Sequence, residues 1–156
     1  MTKVVIMMGS ASDRPVTDKA ENILAKLGIE HECYVASAHR TPDKVRELIE
    51  NSGAEIFIAV AGLSAALPGV VAAHTLKPVI GVPCTSSSSP GSLDSLLSVV
   101  QMPPGIPVAA VGLNRGDNAA LLAAEIIALS DENVKNELKA YREEMAQKTL
   151  DSNERE

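Results

Sequence analysis

The stretch "KVVIMMGSASDRPVTDKAENILAKLG", residues 3–28, changes its hydrophobic period once, and that change decides the fold. Its first part is a short continuous apolar run closed by Gly9 and Ser10, the pattern of a strand buried on both faces of a parallel sheet. From Val16 onward the apolar residues recur at helical spacing, through Ala20, Ile23, Leu24 and Leu27. Asp13 is placed to cap the start of this helix, and Gly28 stands where a C-terminal glycine belongs. The stretch is one strand followed by one helix.

Downstream the unit repeats. "IEHECYVA" reads as a second strand, and Thr41 and Pro42 as cap and first-turn residues of a helix with Val45, Leu48 and Ile49 on one face. "EIFIAVAG", "KPVIGVP" and "PVAAVGL" read as strands three to five. Between and after them, "LPGVVAAHT" and "LDSLLSVVQM" read as short helices and residues 118–129 as a longer one. Strands alternating with helices imply a parallel sheet covered on both faces. The expected architecture is α/β: a flavodoxin-like or Rossmann-like three-layer sandwich, with a central parallel sheet of about five strands and a C-terminal helix.

That last helix, residues 131–150, is charged and carries a narrow stripe of Val134, Leu138, Tyr141 and Met145. Such a stripe suits either a seam for another subunit or packing on the chain's own domain. The closing "DSNERE" reads as a frayed tail. No internal repeat or second domain is visible, so residues 1–156 read as one domain.

Composition narrows the function. Acidic residues outnumber basic ones by 20 to 14, for a net charge of −6, and the chain has no Trp, one Phe and two Tyr. A general nucleic-acid or membrane-surface binder needs a cationic excess, and a single-strand binder needs aromatic platforms. Neither is present. Cys33 and Cys84 form no Cys-x-x-Cys or Cys/His cluster, which argues against structural zinc or a disulfide framework and for two buried thiols in a reducing compartment. No apolar run approaches the roughly 18 residues of a membrane span, and no signal-peptide pattern precedes the first strand. The reading is a soluble cytoplasmic protein.

In an open parallel sheet, ligands bind at the carboxyl ends of the strands. Four loops are expected there: residues 9–13, 37–41 and 62–69, and "CTSSSSPGS" after the fourth strand. Small and hydroxyl-bearing residues dominate them, which suits a sugar phosphate: glycines admit close backbone approach, serines and helix-start amides donate to phosphate, and Asp13 accepts from sugar hydroxyls. Arg40 adds a cationic fork for phosphate or carboxylate. Any one serine could equally be only a helix cap. His39, next to that cation, is the candidate catalytic residue, because an imidazole both gives and accepts a proton near neutral pH. His31 and His74 read as structural. No nucleophile elbow, phosphate-loop lysine motif, Gly-x-Gly-x-x-Gly fingerprint or metal-ligand cluster occurs.

Several blocks, "MGSASD", "SAHRTP", "LPGVVAAHT", "GVP", "LDSLLSVVQMPPGIPVA" and "NAALLAAEIIAL", together resemble the PurE-type family of purine biosynthesis. That family comprises carboxyaminoimidazole ribonucleotide mutases and aminoimidazole ribonucleotide carboxylases. The resemblance implies a flavodoxin-like fold, a homo-octamer with sites between subunits, no metal and no organic cofactor. It also implies a nucleotide substrate and CO2, transferred onto C4 of the aminoimidazole ring. By position it implies a catalytic His39 and nucleotide-binding Ser10, Asp13 and Arg40, with the small residues 62–66 walling the gas; together with the loops at the sheet edge the candidate binding set is Gly9, Ser10, Ser12, Asp13, Ser37, Ala38, Arg40, Gly62, Ser64 and Leu67. Ala66 departs from the mutase branch, which commonly has histidine directly before "LPG"; Ser64 and Ala66 resemble the carboxylase branch, whereas "SAHR" and "VVQMPPG" resemble the mutase branch. The expected reaction is the mutase, with direct carboxylation of aminoimidazole ribonucleotide as the alternative. A nucleotide- or flavin-binding module without catalysis is a third reading that the fold class permits.

Overall fold

The computed structural model describes residues 3–63, 65–85 and 92–154. Five strands, β1 (Val4–Met8), β2 (His31–Val35), β3 (Ile56–Ala61), β4 (Val79–Pro83) and β5 (Ala109–Ala110), form one sheet in the order β2-β1-β3-β4-β5. All pairings are parallel. Six α-helices accompany them: α1 (Arg14–Lys26), α2 (Pro42–Asn51), α3 (Leu67–Ala73), α4 (Leu93–Val100), α5 (Gly116–Ile127) and α6 (Glu132–Asp151). This is the flavodoxin-like order, one of the two that the alternating pattern allowed and the one that the resemblance implied.

The handedness of parallel crossovers explains which helix covers which face. A strand-helix-strand connection is right-handed in nearly every protein, so a step to one side of the sheet puts its helix on one face and a step to the other side puts it on the opposite face. Only the β1-to-β2 step runs away from the remaining strands, and its helix α1 packs on the face carrying Val4, Ile6 and Met8. The other steps run the opposite way, and residues of α2, α3 and α4 pack with Val5 and Met7 on the other face. One helix cannot cover a face five strands wide. Helices α5 and α6, which follow the last strand, complete the cover beside α1 through Ala119, Ala120, Ala123, Ala124, Ile127, Val134 and Leu138.

Burial follows from this arrangement. Every residue of β1, β3 and β4 is buried, as continuous apolar runs require, while the edge strand β2 is only partly covered. The fifth strand is shorter than "PVAAVGL" suggests: only Ala109 and Ala110 pair with β4, and both are exposed. Gly28, at a φ of +69°, ends the first helix in the left-handed conformation that glycine adopts without strain.

Three local expectations are corrected. Asp13 makes no side-chain cap on α1; a short 3-10 turn, Ala11–Asp13, intervenes, and Ser10 caps that turn instead. Thr41 does not cap α2 through its side chain either. Of the tail, residues 151–154 are helical rather than frayed, since α6 reaches Asp151 and a 3-10 turn continues to Glu154; residues 155–156 lie outside the described residues. Two smaller differences are that α5 starts at Gly116 and that Cys33 is only partly buried. No helix among the described residues is long and apolar enough to cross a membrane.

The contact between α1 and α5 is unusually close. A Cβ built on Gly116 would lie 2.0 Å from the Val16 carbonyl oxygen and 3.4 Å from the Ala20 nitrogen. Both neighbours are backbone, so no side chain can turn away to make room. Gly116→Ala is therefore expected to lower stability by about 3 kcal/mol or more, at the upper end of overpacking costs, and to lower the melting temperature by about 6–12 °C. Gly53→Ala has open space but a φ of +68°, and is expected to cost only about 1 kcal/mol. Thermal denaturation of the two variants checks the contrast, and equal losses would contradict the close approach.

Candidate active site

The strand order reverses between β1 and β3, and the loops leaving these neighbouring strands diverge to opposite faces. A cleft of about 640 Å³ lies there, at the carboxyl edge of the sheet. Gly9 joins its two central loops, since its N–H donates to the Val60 carbonyl at 3.1 Å. The loop after β1 then tightens into the 3-10 turn, with the Ser12 hydroxyl donating to Ser10 Oγ at 3.0 Å and the Ser12 N–H to the same oxygen at 3.4 Å. So Ser10 does cap a turn, and it also lines the cleft.

The loop after β2 is closed more firmly. Thr41 Oγ1 accepts from the Ser37 N–H at 2.9 Å, and the Thr41 N–H donates to the Ser37 carbonyl at 3.0 Å. Ser37 Oγ in turn accepts from the Arg40 N–H at 3.1 Å and from Arg40 Nε at 3.3 Å. Thr41 thus spends its hydroxyl on closing this turn rather than on capping α2. His39 is carried on the turn, exposed on the cleft wall. Arg40 Nη2 donates to the Gly9 carbonyl at 2.7 Å and so ties the β2 loop to the β1 loop. Among the described residues Arg40 Nη1 has no partner, which leaves that end of the guanidinium for a ligand.

Asp13 stands half-buried on the same wall. Burial pushes its carboxyl above the ordinary aspartate range, against the Ser10 backbone amide and the Cys84 thiol, both of which favour the charged form. A carboxyl whose folded pKa exceeds its unfolded value binds its proton more tightly in the fold, so stability falls as pH rises through that interval. Burial, and the adjacent Asp13 charge, push the Cys84 thiol up to about 12, while Cys33 reaches about 12 through burial and Glu21. Both are free thiols and weak nucleophiles at neutral pH.

Ten of the residues named from sequence line this one cleft together with His39's loop: Gly9, Ser10, Ser12, Asp13, Ser37, Ala38, His39, Arg40, Gly62 and Leu67. Ser64 lies outside the described residues. Two further lining residues were not singled out, Ala61 and Thr85, while Leu63 falls within the expected wall of residues 62–66. Ala61 was hidden inside an apolar strand pattern, and Thr85 was one of several hydroxyl residues in a row. The expected wall of residues 62–66 is only partly in place: Gly62 and Leu63 line the cleft, but Ala65 is fully buried in the core on the α2–α4 side. Among the described residues, no group of three or more His, Cys, Asp or Glu comes together in a way that could hold a metal ion.

An acid/base-capable imidazole, a guanidinium and a hydroxyl-rich rim around one cleft suit a small anionic substrate. Comparison with known proteins agrees. The family model described as AIR carboxylase matches residues 3–148. The N5-carboxyaminoimidazole ribonucleotide mutase of Methanocaldococcus jannaschii is 57% identical over 97% of this chain and 96% of its own. The probable N5-carboxyaminoimidazole ribonucleotide mutase of Methanobrevibacter smithii is 50% identical over 97% of this chain, which spans 45% of that longer relative. A crystal structure of a Treponema denticola PurE2 variant superposes with a TM-score of 0.86 at 33% identity, covering 99% of this chain and 98% of that one. Sequence, fold and cleft agree that the chain belongs to the AIR carboxylase family.

Proposed function

We propose that the chain is an enzyme of purine biosynthesis that converts N5-carboxyaminoimidazole ribonucleotide to 4-carboxyaminoimidazole ribonucleotide. The observation that carries this reading is His39, exposed in the same cleft as Asp13, Arg40 and the serine-rich turns, in a chain so similar to a mutase. Ser10, Ser12 and Ser37 would hold the phosphate with Arg40, and Asp13 the ribose hydroxyls. That leaves the imidazole to face the base.

In this mechanism His39 starts protonated. It delivers a proton to the exocyclic nitrogen as the carbamate N–C bond breaks, so CO2 leaves and an amine remains. The CO2 stays beside Gly62, Leu63 and Leu67, and C4 attacks it to form the new C–C bond. His39, now neutral, removes the C4 proton and restores both the aromatic ring and its own charge. The cycle is proton-neutral, which is why a single imidazole suffices. Retaining the CO2 next to C4 replaces a bimolecular encounter with an intramolecular one.

Ala66 favours a second reading, direct carboxylation of aminoimidazole ribonucleotide with CO2, because it replaces the histidine common in the mutase branch. The choice is tested by supplying the chain, at low concentration, with either preformed N5-carboxyaminoimidazole ribonucleotide or aminoimidazole ribonucleotide plus bicarbonate. Rapid product from the first mixture is expected. Product from the second alone would reject the mutase in favour of the carboxylase.

The proposal extends to assembly as a homo-octamer. Leu93, Leu97 and Val100 recur at i, i+4 and i+7 along α4 and remain exposed, as do Met145 and Leu150 towards the end of α6. Such apolar surface is characteristic of subunit contacts. The α6 stripe is divided: Val134 and Leu138 are buried on the chain's own core, so only its distal part would serve as a seam. Light scattering should give a solution mass of eight chains, and a monomer at micromolar concentration would refute the assembly.

A further inference from the structure

Thr85 lines the cleft at the end of β4, and its conformation is set from a distant part of the chain. Asn114, between β5 and α5, holds it through both ends of its side-chain amide. Asn114 Oδ1 accepts from the Thr85 N–H at 3.0 Å, and Asn114 Nδ2 donates to Thr85 Oγ1 at 3.0 Å. The first bond fixes the second, because a backbone N–H needs an oxygen acceptor, so the amide cannot flip and must present its nitrogen to the hydroxyl. Receiving that donor occupies a lone pair of Thr85 Oγ1. Among the described residues its hydrogen has one acceptor in reach, Asn114 Oδ1 at 3.5 Å, a contact at the outer limit of a hydrogen bond, so a better-placed ligand oxygen can take it.

Asn114 is itself tightly held. Its N–H donates to the Pro83 carbonyl at 2.9 Å, and its own carbonyl accepts from Lys19 Nζ at 3.4 Å. It also adopts a φ of +59°, one of two non-glycine residues at positive φ among those described. Asparagine tolerates this left-handed conformation better than most residues, though at some cost. A residue held at positive φ whose side chain grips both the backbone and the hydroxyl of a cleft residue is a candidate for a role in the site.

We propose that Asn114 is a positioning residue that orients Thr85 so that its hydroxyl donates a hydrogen bond to an oxyanion of the substrate. The proposal rests on the ribonucleotide reading above, which supplies two such anions, a phosphate and a carboxylate. Asn114→Asp keeps the acceptor for the Thr85 N–H but offers the hydroxyl an acceptor instead of a donor, so the hydroxyl hydrogen turns away from the cleft.

The test is steady-state kinetics with N5-carboxyaminoimidazole ribonucleotide. Asn114→Asp and Thr85→Val are each expected to raise KM about tenfold with kcat within about twofold, the effect of losing one hydrogen bond to a charged group. The double variant should be no worse than Thr85→Val alone, and Thr85→Ser should retain the wild-type KM. Binding of aminoimidazole ribonucleotide, which lacks the carboxylate, separates the two anions: a matching loss of affinity assigns the phosphate, and an unchanged affinity the carboxylate. If Thr85→Val or Asn114→Asp leaves KM within twofold, or the two losses add in the double variant, the positioning role is overturned while the function stands. An inactive wild-type chain would instead sink the ribonucleotide reading, and this role with it.

Discussion

The structure depends on one constraint: a parallel sheet buried on both faces can be wound only with right-handed crossovers. That rule sends α1 to one face and the next three helices to the other, and so forces the loops after β1 and β3 apart. The cleft is the space they leave. It also makes α5 indispensable, because α1 alone cannot cover its face of the sheet. The small residues of α5, from Gly116 through Ala119, Ala120, Ala123 and Ala124, let the two helices close over the core. A buried sheet and an open carboxyl edge are consequences of the same winding.

Within that frame, polar bonds at the edge set the positions of the functional groups. The Ser37–Thr41 turn holds the segment bearing His39, Arg40 ties this turn to Gly9, and Asn114 holds Thr85 from across the sheet edge. The last two of these links join segments leaving different strands or lying far apart in the chain. The cleft is therefore pre-shaped by contacts among its own lining groups, and a ligand would meet donors already aimed. Asp13 and Cys84 form the less favourable part of this edge, a half-buried carboxyl over a buried thiol.

Much of this was legible in the sequence because the signals were local. Continuous apolar runs identified β1, β3 and β4, and glycine punctuation identified the ends of the first two of them. Residues at the strand ends fell into the cleft because topology alone assigns ligands to that edge. Where the reading failed, the deciding contact lay outside the hydrophobic pattern. Asp13 and Thr41 have the residue types of helix caps, but the Asp13 carboxyl lies half-buried on the cleft wall and the Thr41 hydroxyl is engaged with Ser37. The role of Asn114 depends on Thr85, 29 positions away, and no periodicity reports such a pair. Ala65 has the look of a loop residue, yet packing draws it into the core. The α6 stripe could not be assigned to self or partner because both uses need the same spacing.

The proposed reaction depends on His39 carrying the proton between the exocyclic nitrogen and C4. The most direct measurement is turnover and nucleotide affinity in His39→Asn, which keeps a polar side chain of similar reach but cannot exchange a proton near neutral pH. Turnover is expected to fall by at least about 10²–10⁴-fold, the range for losing a general acid/base, with affinity held within about tenfold. A variant that binds the nucleotide and still turns it over at the wild-type rate would contradict the account.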